Sequence, residues 1–221
     1  MTQSTPALGN APTPKDDELD WQKSDGLLPA IVQHWRDGRV LMLGYMNPQA
    51  LQQTRSSGSV TFYSRSKQRL WTKGESSGNS LQMKSIHIDC DRDTILVLAD
   101  PAGPTCHTGT DTCFGDDAAP TLSILRQLDA TIAQRHRDRP AGSYTTKLFD
   151  GELRRIAQKG GEEGVEPALA AGTQDDEALA GEAADLLYHL IVLLRARGLD
   201  LDAVANTLRT RIGSTSEPIS H

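Results

Sequence analysis

Apolar residues recur with two different periods along this chain. Between residues 27 and 99 they form short runs, several of them alternating with polar residues and separated by Gly, Asn and Ser. This pattern is typical of β-strands. After residue 117 the apolar positions recur about every 3.6 residues, as on one face of a helix. The predicted strands are Ala30–Val32, Val40–Met46, Ser59–Ser64, Leu81–Asp89 and Thr94–Ala99.

Capping signals place the helices. Asn47 is a good N-cap, Pro48 suits the first helical position, and Gly58 closes this single helix among the strands. In the second half, Gly198 ends a longer helix. The apolar stripes are Leu122, Leu125, Leu128 and Ile132 on one helix, Ile156 near the start of a second, Leu186, Leu187, Leu190, Ile191 and Leu194 on a third, and residues 201–212 on a fourth.

Strands followed by helices predict an α+β chain of two domains. We expect a mainly antiparallel β domain over residues 19–117 and an all-α domain over residues 118–212. Residues 1–18 are rich in Thr, Pro, Ser and Ala without a hydrophobic period, which predicts a disordered tail. Residues 213–221 are expected to form a flexible C-terminus.

Composition narrows the class of partner. The 221 residues are 37% hydrophobic and 24% charged, with a formal net charge of −6. An acidic chain is a poor general binder of phosphate backbones, so nucleic acid is not an expected partner. Neither a long apolar segment nor the basic and apolar regions of a signal peptide occur, so we expect a cytoplasmic protein without a membrane span. In that compartment three cysteines favour metal ligands or free thiols.

The three cysteines, Cys90, Cys106 and Cys113, lie within 24 residues of one another, and His107 follows the second. Catalytic zinc characteristically has three protein ligands and an open fourth position. Zinc also lowers the pKa of its bound water towards neutrality, which supplies hydroxide. His107 could replace a ligand or act as a general base. Alternatively, the cysteines are buried apolar residues.

Three aspartates, Asp89, Asp91 and Asp93, surround Cys90 in the sequence. If the strand continues, they share one face and Cys90 points to the other. Carboxylates suit Mg²⁺ and thiolates suit Zn²⁺, which predicts two sites. Cys90 would then meet the other thiols only by a chain reversal or across a subunit interface. The alternative is that the aspartates form a solvated turn.

Residues 63–79 combine four cations, an aromatic residue and a run of Gly, Ser and Asn. Backbone N–H groups in such a run can bind phosphate. We therefore predict a substrate-binding loop, although a polar hairpin loop has the same composition. The candidate binding residues are Arg65, Trp71, Lys73, Gly74, Glu75, Ser76, Ser77, Gly78 and Asn79.

Five acidic residues have helical spacing in the second half. Glu162, Glu163 and Glu166 share one side of a helix, and Glu182 and Asp185 repeat the spacing on the next. Facing each other, they would form an all-oxygen cage for Mg²⁺. The alternative is a solvated acidic face. The cations nearby that suit a polyphosphate are Lys147, Arg154, Arg155 and Lys159.

These motifs resemble two known enzyme families. Residues 71–79, residues 89–93 and the segment 103–107 with Cys113 and Phe114 closely resemble phosphoribosyl-AMP cyclohydrolase. Residues 142–149, followed by Lys159 and the acidic residues, are similar to phosphoribosyl-ATP pyrophosphohydrolase, a relative of the all-α nucleotide pyrophosphohydrolases. In this order they resemble the bifunctional family of histidine biosynthesis over residues 19–212.

The resemblance implies two successive hydrolyses. The C-terminal domain would release pyrophosphate from phosphoribosyl-ATP, and the N-terminal domain would open the N1–C6 bond of the adenine ring of phosphoribosyl-AMP. Zinc hydroxide is suited to attack at C6 of a purine. The resemblance also implies a homodimer in which Cys90 of one subunit joins Cys106 and Cys113 of the other, with Mg²⁺ at Asp89, Asp91 and Asp93. We predict catalytic roles for His107, Glu163 and Glu166.

Two other functions fit the same residues. In the first, only the cyclohydrolase is active and the helical domain is a dimerisation module. In the second, the chain is a zinc-stabilised dimer for protein interaction, with a closed metal site in which His107 is the fourth ligand.

Pro167 departs from the family, which usually has an aliphatic residue there. It removes the N–H that would bond to the Glu163 carbonyl, and three nearby glycines also weaken the helix. Either the helix bends, or it begins late enough for Pro167 to lie in its first turn. We predict the bend, because the glutamates need helical spacing to converge.

Overall fold

The computed structural model describes residues 18–115 and 119–213. The chain forms two compact units that divide between Ser123 and Ile124. The first is mainly antiparallel β and the second is helical, which confirms the predicted fold class. The predicted boundary near residue 117, nearly all of the predicted tail, and residues 214–221 lie outside the described residues.

The described residues of the first unit form a four-stranded sheet, a two-stranded sheet and one α-helix. A short 3-10 helix lies at Trp21–Ser24. The elements that follow it are β1 (Leu28–His34), β2 (Val40–Met46), α1 (Pro48–Ser57), β3 (Thr61–Ser64), β4 (Arg69–Thr72), β5 (Leu81–Ile88) and β6 (Ile95–Pro101). The larger sheet has the order β2-β1-β6-β5, with β1 and β6 parallel and the other pairs antiparallel.

The core of this unit lies under one face of the larger sheet. Alternate residues of β1 and β6 are fully buried, because the side chains of a strand point to opposite faces. Helix α1 begins as predicted: Asn47 Oδ1 accepts a hydrogen bond from the Ala50 N–H at 2.8 Å. It ends at Gly58, whose φ of 72° favours glycine.

Strand β4 was not predicted. It pairs with β3 in a tight hairpin, with Ser64 opposite Arg69 and Phe62 opposite Trp71. The Trp71 ring stacks on Phe62 at 5.6 Å between centroids. The segment that was read as a loop therefore contains the end of β3, a turn over residues 65–68 and β4, and it is a loop only beyond Thr72.

The second unit consists of five helices around a small core of Ile132, Leu148, Ile156, Ile191 and Val192. Leu122 precedes the first of these helices and is 74% exposed, so its assignment to a buried stripe was wrong. A short helix, α3, was also not predicted. The elements are α2 (Ser123–Asp138), α3 (Tyr144–Phe149), α4 (Leu153–Thr173), α5 (Asp176–Ala196) and α6 (Leu201–Gly213).

Pro167 lies inside α4, which begins at Leu153. The alternative that this proline occupies a first helical turn is therefore wrong. The glutamates at 162, 163 and 166 lie on the same helix and precede the proline. A bend at Pro167 stays a prediction.

Candidate active sites

A cavity of about 530 Å³ opens on the first unit. Its walls are the loop after β4 and the loop that carries two of the cysteines. Of the predicted binding residues, Arg65 and Gly78 do not line it. Those that do are Trp71, Lys73, Gly74, Glu75, Ser76, Ser77 and Asn79, opposite Cys106, His107 and Cys113.

The loop after β4 owes its shape to close backbone approaches. Gly74 has a φ of 86°, and a Cβ there would lie 2.5 Å from the Ser80 nitrogen. A Cβ at Gly103 would lie 2.6 Å from Asn79 Oδ1. Lys73 is buried, and its Nζ donates to the Asn79 carbonyl at 3.2 Å. The Lys73 ammonium thus links the two ends of the loop, and Lys73 also lines the cavity.

Two cations of this region have other partners. The Arg65 guanidinium lies 4.0 Å from the Tyr45 ring centroid. Arg69, which was not singled out from the sequence, donates to Glu75 Oε1 at 2.6 Å and lowers the pKa of that carboxyl. Arg69 therefore fixes the position of one cavity residue.

Cys106 and Cys113 lie together at the cavity. The Thr108 hydroxyl donates to Cys106 Sγ at 3.1 Å. Hydrogen bonds from the hydroxyl and backbone N–H of Thr108 lower the pKa of Cys106 to about 6. Burial, and then the neighbouring Cys106 charge, raise the pKa of Cys113. His107 Nδ1 lies 3.8 Å from Cys106 Sγ.

Cys90 does not join this pair within one chain. It is exposed, in the turn between β5 and β6, and it does not line the cavity. Within the described residues, no set of three ligand atoms that lie within 4.8 Å of one another includes a cysteine. The single chain therefore presents two thiols at the cavity and a third elsewhere.

The aspartates occupy a turn, because β5 ends at Ile88. Asp89 Oδ1 accepts hydrogen bonds from the N–H groups of Asp93 and Thr94, both at 3.0 Å. One carboxylate oxygen from each of Asp89, Asp91 and Asp93 lies within 4.8 Å of the others. The turn, rather than a continued strand face, brings the three carboxylates together.

A lysine that the sequence did not indicate completes this cluster. Lys23 Nζ lies 2.5 Å from Asp91 Oδ2 and 2.6 Å from Asp93 Oδ2. These hydrogen bonds lower the pKa of both aspartates and raise that of Lys23. Since 66 residues separate Lys23 from Asp89, no sequence spacing could have indicated the contact.

In the second unit, three of the five predicted acidic residues converge. Carboxylate oxygens of Glu163, Glu166 and Glu182 lie within 4.8 Å of one another. Hydrogen bonding to Glu163 and repulsion by its charge raise the pKa of Glu166. Glu162 points away, to Lys159 Nζ at 3.1 Å. Asp185 is exposed and its carboxylate is not a member of the group.

Cations lie next to this cluster at the start of α4. Lys159 Nζ is 3.5 Å from Glu163 Oε1. It also lines a separate cavity of about 380 Å³, together with Arg154, Arg155 and Gln158. Lys147 is exposed and does not line that cavity.

The described residues therefore combine a small β unit that has a thiol-lined cavity with a helical unit that has clustered glutamates. Each unit carries its own set of candidate metal ligands. Among the described residues, no helix is both long and apolar enough to cross a membrane.

Comparison with known proteins identifies the family. Residues 42–115 match the family of Phosphoribosyl-AMP cyclohydrolase, and residues 125–212 match that of Phosphoribosyl-ATP pyrophosphohydrolase. The chain is 65% identical over 193 residues to the Histidine biosynthesis bifunctional protein HisIE of Xanthomonas axonopodis pv. citri (strain 306), which covers 87% of this chain and 92% of the relative. The chain is 60% identical over 194 residues to the protein of the same name from Escherichia coli (strain K12). This alignment covers 88% of this chain and 95% of the relative.

The chain therefore belongs to the bifunctional HisIE family of histidine biosynthesis. It has phosphoribosyl-AMP cyclohydrolase activity and phosphoribosyl-ATP diphosphatase activity, and the predicted function is confirmed. The alternative of a cyclohydrolase with an inactive helical domain is not favoured, because residues 125–212 match the second enzyme family.

Proposed function

We propose that the two reactions use separate metal sites on the two units, and that the first site is completed by a second copy of the chain. The observation that carries this proposal is the arrangement of thiols: two at the cavity and one exposed outside it. Catalytic zinc takes three protein ligands. Cys106, Cys113 and Cys90 of the partner subunit would supply them.

The thiols fit zinc chemically. Thiolates are the form that binds metal, and the pKa of Cys106 is lowered to about 6, so this thiol is ionised at neutral pH. When bound, zinc supplies an activated water for attack on an electrophilic ring carbon. His107 lies beside Cys106 at the cavity, where its imidazole would move the proton that leaves this water.

The rest of the cavity wall would bind phosphoribosyl-AMP. Lys73 and the backbone N–H groups of Gly74, Ser76 and Ser77, which line the cavity, suit its phosphate, since backbone amides in Gly-rich loops bind anions. The Trp71 ring, which also lines the cavity, would contact the adenine base of the substrate. Arg69 acts through Glu75, which it holds at 2.6 Å.

Asp89, Asp91 and Asp93 would hold Mg²⁺. Three carboxylate oxygens within 4.8 Å of one another fit a hard cation. Lys23 supplies a positive charge at the same carboxylates, so binding of a divalent ion would require this ammonium to move away.

Glu163, Glu166 and Glu182 would hold Mg²⁺ in the second unit. The raised pKa of Glu166 reflects repulsion that a cation would relieve. When bound there, Mg²⁺ would supply positive charge next to the substrate phosphates and lower the pKa of a water molecule. Lys159, Arg154 and Arg155 would bind the polyphosphate from the adjoining cavity. Glu162 and Asp185 would become ligands of the same ion only after their side chains rotate.

We also propose a homodimer in the cytoplasm. Besides the incomplete thiol site, the helical unit exposes large apolar side chains that a partner could cover. These are Val165 and Leu169 on α4, Leu187 and Leu190 on α5, and Leu208 and Ile212 on α6.

Incubation with phosphoribosyl-ATP and Mg²⁺, with and without 1,10-phenanthroline, tests the proposal, because this nitrogen chelator binds transition-metal ions and Zn²⁺ far more tightly than Mg²⁺. Pyrophosphate release and ring opening are followed separately. We expect the chelator to stop ring opening and to leave pyrophosphate release. Loss of both activities, or of neither, would contradict separate zinc and magnesium sites.

A further inference from the structure

A buried histidine of α5 adjoins the glutamate cluster without belonging to it. His189 is 6% exposed, and Glu163 is 7% exposed. His189 Nδ1 lies 3.6 Å from Glu163 Oε1 and 3.0 Å from the Asp185 carbonyl oxygen. On the other side of the ring, Nε2 lies 3.2 Å from the Tyr144 hydroxyl.

These partners decide which nitrogen carries the proton. A backbone carbonyl only accepts hydrogen bonds, so Nδ1 must be the donor to Asp185. The Nδ1 edge of the ring also lies against the Glu163 carboxylate, at 3.6 Å from Oε1. In the neutral ring Nε2 is then an acceptor, and the Tyr144 hydroxyl donates to it. The Asp185 carbonyl thereby fixes the tautomer, and the two hydrogen bonds together fix the orientation of the ring.

Glu163 needs such support, because it lies among like charges. Its carboxylate is within 4.8 Å of those of Glu166 and Glu182, which repel it. Two nitrogen atoms lie close to Glu163 Oε1: Lys159 Nζ, which donates to it at 3.5 Å, and His189 Nδ1 at 3.6 Å. Lys159 is shared with Glu162, whereas His189 is held by its own neighbours.

We infer that His189 and Tyr144 are positioning residues of the pyrophosphohydrolase site, which orient Glu163 so that its carboxylate converges with those of Glu166 and Glu182. The inference rests on the proposed metal role of these glutamates. Partners of this kind, behind metal ligands, fix ligand orientation, and their loss typically costs about 10–100-fold in metal affinity or activity.

The neighbouring Tyr188 provides a matched control. Its ring stacks on Tyr144 with 6.2 Å between centroids, but its hydroxyl bonds to Thr145 Oγ1 at 2.8 Å. Tyr144→Phe and Tyr188→Phe each remove one hydroxyl from the same aromatic cluster. Only the first removes a partner of His189.

Binding of Mn²⁺, measured by electron paramagnetic resonance, tests the inference. All proteins, including the reference, carry Asp91→Asn and Asp93→Asn so that the other carboxylate cluster does not contribute. We expect His189→Leu to lower Mn²⁺ affinity about 10–100-fold and Tyr144→Phe to lower it less. Tyr188→Phe should leave it unchanged. His189→Asn, whose amide can occupy the Nδ1 position, should recover part of the loss, and His189→Gln should recover less.

Kinetics in the otherwise unchanged chain give a second readout. His189→Leu and Tyr144→Phe should lower kcat for pyrophosphate release more than they raise KM, while ring opening of supplied phosphoribosyl-AMP stays normal. An unchanged urea midpoint by circular dichroism at 222 nm shows that the helical unit is folded. If His189→Leu does not fold, Tyr144→Phe and His189→Asn decide the question.

Two results would overturn the inference. In the first, the His189 and Tyr144 variants keep their Mn²⁺ affinity and kcat, while Glu163→Gln no longer binds Mn²⁺. The other is an equal loss in Tyr144→Phe and Tyr188→Phe. Retention of Mn²⁺ by Glu163→Gln would instead show that the proposed metal role of Glu163 is wrong.

Discussion

Lys23 and Asp91 form an ion pair with 2.5 Å between Nζ and Oδ2, and this pair joins the start of the first unit to the turn between β5 and β6. A backbone bond reinforces the junction: the Asp20 N–H donates to the Arg92 carbonyl at 2.8 Å. Leu19 is buried in the core next to it. The ammonium is therefore held at the aspartate cluster, where it would compete with a divalent cation.

The first prediction is that Lys23→Met tightens Mg²⁺ binding at the aspartates. Removal of the competing charge favours the metal by roughly two- to fivefold, since exposed ion pairs contribute little. Isothermal titration in a chain that carries Glu163→Gln and Glu182→Gln isolates this site. Lys84→Met is the matched control. Lys84 Nζ lies 3.3 Å from Asp100 Oδ2, and neither residue belongs to the aspartate cluster. Weaker binding in Lys23→Met would mean that the lysine supports the site.

Local signals in the sequence predicted much of the fold. Asn47 and Gly58 bound α1 because capping depends on residues within one helical turn. The acidic spacing likewise predicted that Glu162, Glu163 and Glu166 share one helix and that Glu182 and Asp185 share the next. Which of the five converge depends on how the two helices pack, and only Glu163, Glu166 and Glu182 do.

Contacts between distant residues could not be predicted in the same way. Lys23 meets Asp91 only because the 3-10 helix packs beside the turn, and Tyr144 meets His189 across 45 residues of sequence. Strand β4 was missed because its alternation is partly polar, and it becomes a strand through its pairing with β3. Such contacts depend on tertiary packing, which leaves no short-range period.

The second prediction concerns the reactivity of Cys106 in metal-free protein. Its pKa is lowered to about 6, whereas that of Cys113 is raised by burial. The thiolate is the reactive form, so alkylation of Cys106 by iodoacetamide should increase as the pH rises through about 6 and level off above it. Cys113 should react only at higher pH. Mass spectrometry of tryptic peptides distinguishes the two, and equal pH profiles would contradict the assignment.

The third prediction separates the two activities. Cys106→Ser or Cys113→Ser should abolish ring opening, because the proposed zinc site would lose a ligand, and should leave pyrophosphate release largely intact. Both products are measured on the same preparation, and near-ultraviolet circular dichroism of the tryptophans checks that the first unit is folded. Equal loss of both activities in a soluble, folded variant would count against independent sites.

The fourth prediction distinguishes adjacent glutamates. Glu163→Gln should lower pyrophosphate release by more than about 100-fold, since loss of a direct ligand should exceed the cost of losing an outer partner. Glu162→Gln should have a much smaller effect, because Glu162 pairs with Lys159 and Gln158 instead of joining the cluster. Steady-state pyrophosphate release tests both variants, and conversion of phosphoribosyl-AMP should be normal in each. Similar losses in the two variants would show that Glu162 also binds the metal.

The last prediction concerns Pro167, in the interior of α4. A proline there lacks the N–H that would bond to the Glu163 carbonyl and costs about 3 kcal/mol relative to alanine. Pro167→Ala should therefore raise the free energy of unfolding of the helical unit by up to about that amount. Urea titration followed by circular dichroism at 222 nm measures it.

Gly164→Ala is the control for helix propensity on the same helix. A Cβ at Gly164 has no atom within 4 Å, so the substitution should stabilise by about 1 kcal/mol without a clash. Neither variant should weaken Mn²⁺ binding at Glu163, Glu166 and Glu182, which all lie in helices that stay intact. If Pro167→Ala were less stable and bound Mn²⁺ more weakly, while Gly164→Ala behaved as expected, the proline would be required for convergence of the carboxylates. The helix geometry that proline imposes would then be part of the site.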